Sequence, residues 1–255
     1  MSVTCTFNGR LGNILYSMAT VIAYCKKNDL QWFFPTYAWA CRDAKVPISV
    51  PNTGHQPVNP TIYQEPMIDG HPYYHEIPAM DNVEFRGYYQ SFRYFEECRE
   101  DILDIINLRG ASSDITALHI RRGDCVNQPD GFPMASIEYY QAAMQYMMDK
   151  GFFQFRIYSD DIPWCREQFT TDLYPGCIFD FSEGHTDVED FISMSSCQNI
   201  ITARSTFSLM AGWFNEHENK IIVCPSIEQH YWWRGSNNDL LTGTEHWLTQ
   251  LTWNI

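Results

Sequence analysis

Two arginines stand together at the end of an apolar run, in Leu118-His119-Ile120-Arg121-Arg122-Gly123-Asp124. A guanidinium presents a planar fork of N–H donors that matches phosphate oxygens in pairs, and it stays charged when partly withdrawn from water. The surroundings sharpen the observation, because the chain from residue 111 onward carries 8 Lys+Arg against 19 Asp+Glu. Paired cations at the carboxyl end of a strand, inside so acidic a stretch, suggest a diphosphate held at a sheet crevice. The same pair could equally be salt-bridged to nearby carboxylates, and the residues alone leave both readings open. An Arg-Gly-Asp adhesion tripeptide at 122–124 would need an extracellular setting for which nothing else in the chain argues.

Other segments could join the arginines. Gly9-Arg10-Leu11-Gly12-Asn13 links a short strand to a helix start, where glycines let backbone N–H groups approach an anion. It lacks the spacing of a dinucleotide fingerprint and the Walker lysine. Arg204-Ser205-Thr206-Phe207 also bridges a strand and a helix, so Ser205 or Thr206 is either a plain N-cap or a phosphate ligand. Tyr158-Ser159-Asp160-Asp161 ends another strand, and its carboxylates are expected to cap the following helix. Several chemistries lack their parts: there is no H-E-x-x-H, no G-x-S-x-G and no D-x-D triplet. No metal is therefore expected, and positive side chains must neutralise any diphosphate. The 8 Trp and 15 Tyr suit sugar stacking, although aromatics more often build cores.

The elements that must position these residues follow from pattern. Apolar residues at Leu11, Leu15, Met18, Ile22 and Cys25 mark a helix face after a strand near 3–7. A strand near 30–34 follows. Seven prolines between residues 46 and 78 predict irregular chain, the kind of long loop that is usually functional or mobile. A strand near 83–88 and a helix near 92–106 then precede a polar break at 108–113. Beyond it, strands are predicted at 115–120, 155–159, 177–181, 199–202 and 220–224. Helices at 136–149, 162–170, 187–197 and 206–218 fill the gaps. This alternation reads as a parallel, doubly wound α/β sheet.

Composition bounds the rest. A chain of 255 residues at 45% hydrophobic and 19% charged folds with a real core, and its net charge of −14 argues against nucleic acid or an anionic membrane as partner. No apolar run approaches the ~20 residues of a membrane span. The nine cysteines form no C-x-x-C pair, which suggests reduced, buried thiols. With no secretory signal at its start, the chain is expected to be soluble and cytoplasmic.

These residues, in this order, resemble the α-1,2-fucosyltransferases. The resemblance rests on Gly9-Arg10-Leu11-Gly12-Asn13, Gly87-Tyr88-Tyr89-Gln90-Ser91 with Tyr94-Phe95, and His119-Ile120-Arg121-Arg122-Gly123-Asp124. Tyr158 to Cys165 and Ser205-Thr206-Phe207-Ser208 continue it, over roughly residues 3 to 225, and the H-x-R-R-G-D element is its most specific part. It implies two Rossmann-like domains facing a cleft, a B-type glycosyltransferase fold. Residues 1–110 would form the acceptor side and 111–235 the GDP-sugar donor side, with the tail 236–255 packing back on the first domain. It also implies GDP-fucose as donor substrate, no cofactor, no metal, an oligosaccharide acceptor and inversion at the fucose carbon.

Carried over, Arg121 and Arg122 would hold the diphosphate, with His119 beside the nucleotide. Asp190 would read guanine, whose N1–H and amine are donors that suit a carboxylate. Ser205, Thr206 and Phe207 would line the diphosphate and base, and Asn13 would approach the donor from the first domain. Asp124, the carboxylate nearest the arginines in sequence, is the candidate base or a residue that positions them. The chain departs from the family at Arg204, which stands for Asn, at Leu209-Met210, which stand for paired Trp, and at Gln198, which stands for His. These departures are expected to touch the donor side. A transferase using another GDP-sugar and a non-catalytic nucleotide-sugar-binding protein are the alternatives.

Overall fold

The computed structural model describes residues 1–37, 46–68, 71–126, 134–226 and 241–252. The protein forms two compact units, Met1–Leu108 with Gly235–Thr244, and Arg109–Arg234 with Glu245–Ile255. Each is built on a parallel sheet.

In the first unit, β1 (Ser2–Cys5), β2 (Gln31–Trp32), β3 (Thr61–Gln64) and β6 (Val83–Arg86) form a sheet of order β2-β1-β6-β3. Every pairing in it is parallel. The chain leaves β1 for β2 on one side and later returns to fill the other side. Strand order therefore reverses between β1 and β6. The helix α1 (Leu11–Asn28) buries the whole predicted face, and burial extends round to Tyr16, Thr20 and Tyr24. Asp29 ends it in the left-handed region at φ 54°, its N–H donating to the Cys25 carbonyl.

Two expectations for this unit need correction. The proline-rich stretch is not wholly irregular. Its residues Thr61–Gln64 pair along their full length with β6, and β4 (Met67–Ile68) and β5 (His71–Pro72) make a small antiparallel ladder. An edge strand needs only one row of hydrogen-bond partners, so Pro60 and Pro66 can bracket it without interrupting it. The helix expected over 92–106 starts as two 3-10 turns, Phe92–Tyr94 and Glu96–Cys98, before α2 (Arg99–Ile106). The period of three puts Phe92 and Phe95 on the same side, where their rings meet Tyr16 at 5.2 and 5.7 Å.

The second unit carries β7 (Ser113–Ile120), β8 (Gln154–Ser159), β9 (Ile178–Phe181), β10 (Cys197–Ile201), β11 (Ile222–Pro225) and β12 (Leu248–Leu251). Their order is β12-β11-β10-β7-β8-β9, all parallel. The chain runs outward from β7 to β9, then returns to β10 and runs outward to the other edge. Strand order reverses between β7 and β10, which creates a crevice at their carboxyl ends. The helices are α3 (Gly123–Val126), α4 (Ile137–Met148), α5 (Ile162–Gln168), α6 (Asp187–Ser195) and α7 (Thr206–Phe214). Leu118, Ile120, Phe155, Ile157, Ile201 and Val223 from the strands pack with Tyr139, Met144, Met147 and Phe169. Each such side chain, fully buried, contributes roughly 1.5–3 kcal/mol.

The tail was expected to pack on the first domain, and here the structure differs. Only Gly235–Thr244 groups with the first unit. Leu248–Leu251 instead joins the second sheet, paired residue for residue with Ile222–Pro225. All four residues of β11 are buried, and its outer side takes this strand as its partner. The expected helix at 206–218 also stops early, at Phe214. Asn215 is extended, and its Nδ2 donates to the Cys197 carbonyl at 2.7 Å. Among the described residues, no helix is long and apolar enough to cross a membrane. The described cysteines form no disulfide, and seven of these eight thiols are buried.

Candidate functional site

The carboxyl end of β7 delivers His119, Arg121 and Arg122 to the crevice between β7 and β10. The neighbouring strand β8 ends there in Asp160 and Asp161. Asp160 organises the turn: its Oδ1 accepts from the backbone N–H of Arg122 at 2.7 Å and of Gly123 at 3.0 Å. Its Oδ2 pairs with Arg121 Nη1 at 2.7 Å. Position 123 must be glycine for this approach, since a Cβ there would lie 2.4 Å from Asp160 Oδ2. Arg122 donates from Nε to Asp161 Oδ2 at 2.9 Å, and its guanidinium lies 3.9 Å from the centre of the Trp164 ring. Asp161 also caps α5, accepting from Trp164 N at 3.3 Å. The hydrogen bond from Arg122 holds its carboxyl below the usual carboxylate range.

Both open readings of the arginines therefore bear on one arrangement. They are salt-bridged to the strand-end carboxylates, and they stand at the crevice. Pairing with one carboxylate engages at most two of the five N–H donors of a guanidinium, so an ion pair fixes the fork without exhausting it. The capping role expected for the two aspartates holds for Asp161 alone. Asp160 instead braces the arginine turn. Asp160 and Trp164 are thus site residues whose roles were not read from the sequence, and the only signal was a pair of acids ending the strand beside the arginines.

His119 is buried at 7% exposure, and its ring centre lies 5.4 Å from that of Phe207. Its Nδ1 has no hydrogen-bond partner among the described residues. Burial pushes its pKa down from 6.5 to about 3, so the ring is neutral near pH 7 and carries no charge. Because the folded value lies below the unfolded one, the unfolded chain binds the extra proton as pH falls. Stability from this group is complete above about 6.5 and declines toward about 3. Urea unfolding should weaken by about 1.4 kcal/mol per pH unit from this group inside that window. His119→Gln should remove that increment, and identical pH slopes for the two proteins would contradict it.

Phe207 continues the aromatic column, meeting Phe191 edge-on at 5.6 Å and so tying β7, α7 and α6 together. Asp190 precedes Phe191 on α6, whose start is fixed by a capping box between Thr186 and Glu189. Its Oδ1 accepts from Ser182 Oγ at 2.6 Å, and burial raises its pKa from the usual value. Ser205 is the N-cap of α7, accepting from Phe207 N at 3.3 Å, and Thr206 is the first residue of that helix. The side chain of Asp124, on α3, lies outside the described residues. Asn13 belongs to the first unit, where its Oδ1 accepts from Gln90 Nε2 at 2.9 Å. One expectation is overturned: Leu209 and Met210 are fully buried, so these two departures belong to the core and offer nothing to a donor. Arg204 and Gln198 are partly buried.

The family profile of Glycosyl transferase family 11 matches residues 71–232, more than half of the chain. The O-antigen biosynthesis glycosyltransferase WbnK of Escherichia coli is 30% identical over 165 residues, 60% of this chain and 52% of that protein. An alpha-1,2-colitosyltransferase of Escherichia coli is 30% identical over 161 residues, 57% of this chain and 56% of that protein. The chain thus spans little more than half the length of these two relatives. Galactoside alpha-(1,2)-fucosyltransferase 2 of Gorilla gorilla gorilla is 25% identical over 231 residues, 80% of this chain and 66% of that protein. The fold is similar to that of apo POFUT1, with a TM-score of 0.51 at 11% identity over 88% of this chain and 97% of that one.

Proposed function

We propose that this chain, which belongs to glycosyl transferase family 11, transfers fucose from GDP-fucose to a hydroxyl of a galactoside-like acceptor, making an α-1,2 link with inversion. The observation that carries the reading is the pair of braced guanidiniums at the carboxyl ends of β7 and β8, beside the switch point of an acidic unit. Two Rossmann-like domains facing a cleft are the architecture this reading implies, with the second unit holding the donor. As the bond to fucose breaks, negative charge grows on the departing GDP. Fixed N–H donors already aimed at that position stabilise it without reorganisation. Arg121 and Arg122 are assigned this role, in place of a metal. The neutral ring of His119 and the half-buried Asp190 are assigned to nucleotide recognition, with Ser205, Thr206 and Phe207 lining the site. Asp124 is assigned either the acceptor proton or the positioning of the arginines. The galactoside acceptor rests on the likeness to the gorilla protein.

A second reading has its own observation, the 30% identity to a protein named an alpha-1,2-colitosyltransferase. Calorimetry with GDP-fucose, GDP-colitose, GDP-mannose and UDP-galactose, each in excess chelator, separates the possibilities. GDP-fucose should bind and release GDP when lactose is added. Preference for GDP-colitose would move the chain to the second reading, and binding without turnover would make it a binding protein. Equal affinity for UDP-galactose would defeat the guanine assignment, and loss of turnover in chelator would defeat the metal-free one.

A further inference from the structure

A carboxylate that reads a nucleobase must be held in a fixed plane. Guanine offers its N1–H and its amine side by side, so both carboxylate oxygens have to meet them together. A single N–H can be met from many angles, whereas a parallel pair demands one orientation. Asp190, half-buried in the first turn of α6, is a short side chain whose carboxylate needs such a restraint.

The restraint comes from the sheet. β9 ends at Phe181, and the next N–H, that of Ser182, still donates to the Ile157 carbonyl at 2.9 Å. The ladder between β8 and β9 thus sets the place of Ser182, itself half-buried. Its hydroxyl donates to Asp190 Oδ1 at 2.6 Å, a charge-assisted bond across the turn that joins β9 to α6. That turn passes through Gly184 at φ 77°, a left-handed backbone that glycine enters at little cost. Three residues beyond Asp190, Ser193 Oγ lies 2.7 Å from the hydroxyl of Tyr158 on β8. Residues three apart share a helix face, so two hydroxyl contacts pin one face of α6 to the ends of β8 and β9. Phe191, fully buried, meets Phe207 and Phe214 at 5.6 and 5.3 Å and stops the helix from rolling.

One bond orients the carboxylate without exhausting it. A carboxylate has about four lone-pair sites, and among the described residues Asp190 Oδ2 accepts no hydrogen bond. Burial pushes the Asp190 carboxyl up from its usual value, and the Ser182 hydroxyl opposes that rise by bonding the ionised form. The ionised form is the one that accepts from two N–H donors.

We infer that Ser182 is a positioning residue for nucleobase recognition, its sheet-anchored hydroxyl fixing the plane of the Asp190 carboxylate for the N1–H and amine of guanine. The inference deepens the proposed donor reading and rests on its assignment of Asp190 to the nucleotide. Calorimetry on the full chain compares GDP with inosine diphosphate, whose base lacks the amine, and so isolates the second hydrogen bond. The wild type should favour GDP, and Asp190→Asn should abolish that preference. Ser182→Ala should reduce the preference by roughly tenfold, because an untethered carboxylate keeps one contact and loses the parallel pair. Ser182→Thr, which keeps the hydroxyl, should restore it. A merely structural Ser182 would lower the melting temperature and both affinities together, leaving their ratio unmoved. A wild-type ratio in Ser182→Ala beside a collapsed ratio in Asp190→Asn overturns the inference and leaves the donor reading standing. An unmoved ratio in Asp190→Asn overturns the guanine assignment, and the inference falls with it.

Discussion

Arg121→Ala should lose donor turnover by roughly a hundred- to a thousand-fold, the usual cost of removing one fixed donor aimed at developing charge. The side chain is only 20% exposed and is fixed through Asp160, so its fork is held in place by the fold itself. Lysine should rescue poorly, because a single ammonium cannot both pair with Asp160 and present a planar fork to phosphate. The neighbouring arginine should behave differently. Arg122 is held between Asp161 and the Trp164 ring, so Arg122→Ala should lose stability as well as turnover. Single-turnover rates at saturating GDP-fucose measure the effect directly. Near-normal turnover in Arg121→Ala would remove this residue from the leaving-group role.

Asp160→Ala should be the most damaging change to the site's architecture. It withdraws the acceptor of two backbone N–H groups and the partner of Arg121 in one step. Hydrogen bonds to charged groups contribute about 1.5–3 kcal/mol each, but a carboxylate 27% exposed recovers part of that from water. A net loss of about 2–3 kcal/mol is expected, a fall in melting temperature of about 5–10 °C for a chain of this size. GDP affinity should fall with it. Asp160→Asn separates the two effects, since its remaining carbonyl oxygen can still serve both N–H groups while its amide opposes Arg121. That variant should regain most of the stability and little of the affinity. A wild-type melting curve for Asp160→Ala would show that the turn stands without its brace.

Much of the second unit was legible because the five strands before the last are short runs rich in apolar residues that end in residues unlike their cores. Ile120 gives way to Arg121, Ser159 to Asp160, and Ile201 to the segment before Ser205. The change from apolar to polar marks where a buried strand reaches its crevice, so the site and the sheet were read from the same signal. What could not be read was partnership across strands. Nothing along the chain tells Asp160 from Asp161, yet one braces the arginine turn and the other caps a helix, because β8 lies beside β7. The same limit explains β3 and β12. Both are edge strands of four residues, one bracketed by prolines and one far along the chain, and each is defined by the strand it joins rather than by its own pattern. Leu209 and Met210 were misplaced for a related reason. Their difference from the family suggested a ligand contact, whereas their side chains answer to the packing of α7.

The most direct measurement is the anomeric configuration and linkage of the product when the chain is incubated with GDP-fucose and lactose in excess chelator, followed by proton NMR. An α-linked fucose on the 2-hydroxyl of the galactose ring, formed with stoichiometric release of GDP, is the expected result. A product with retained configuration, a fucose on another hydroxyl, or GDP-fucose left intact beside every galactoside offered would contradict it.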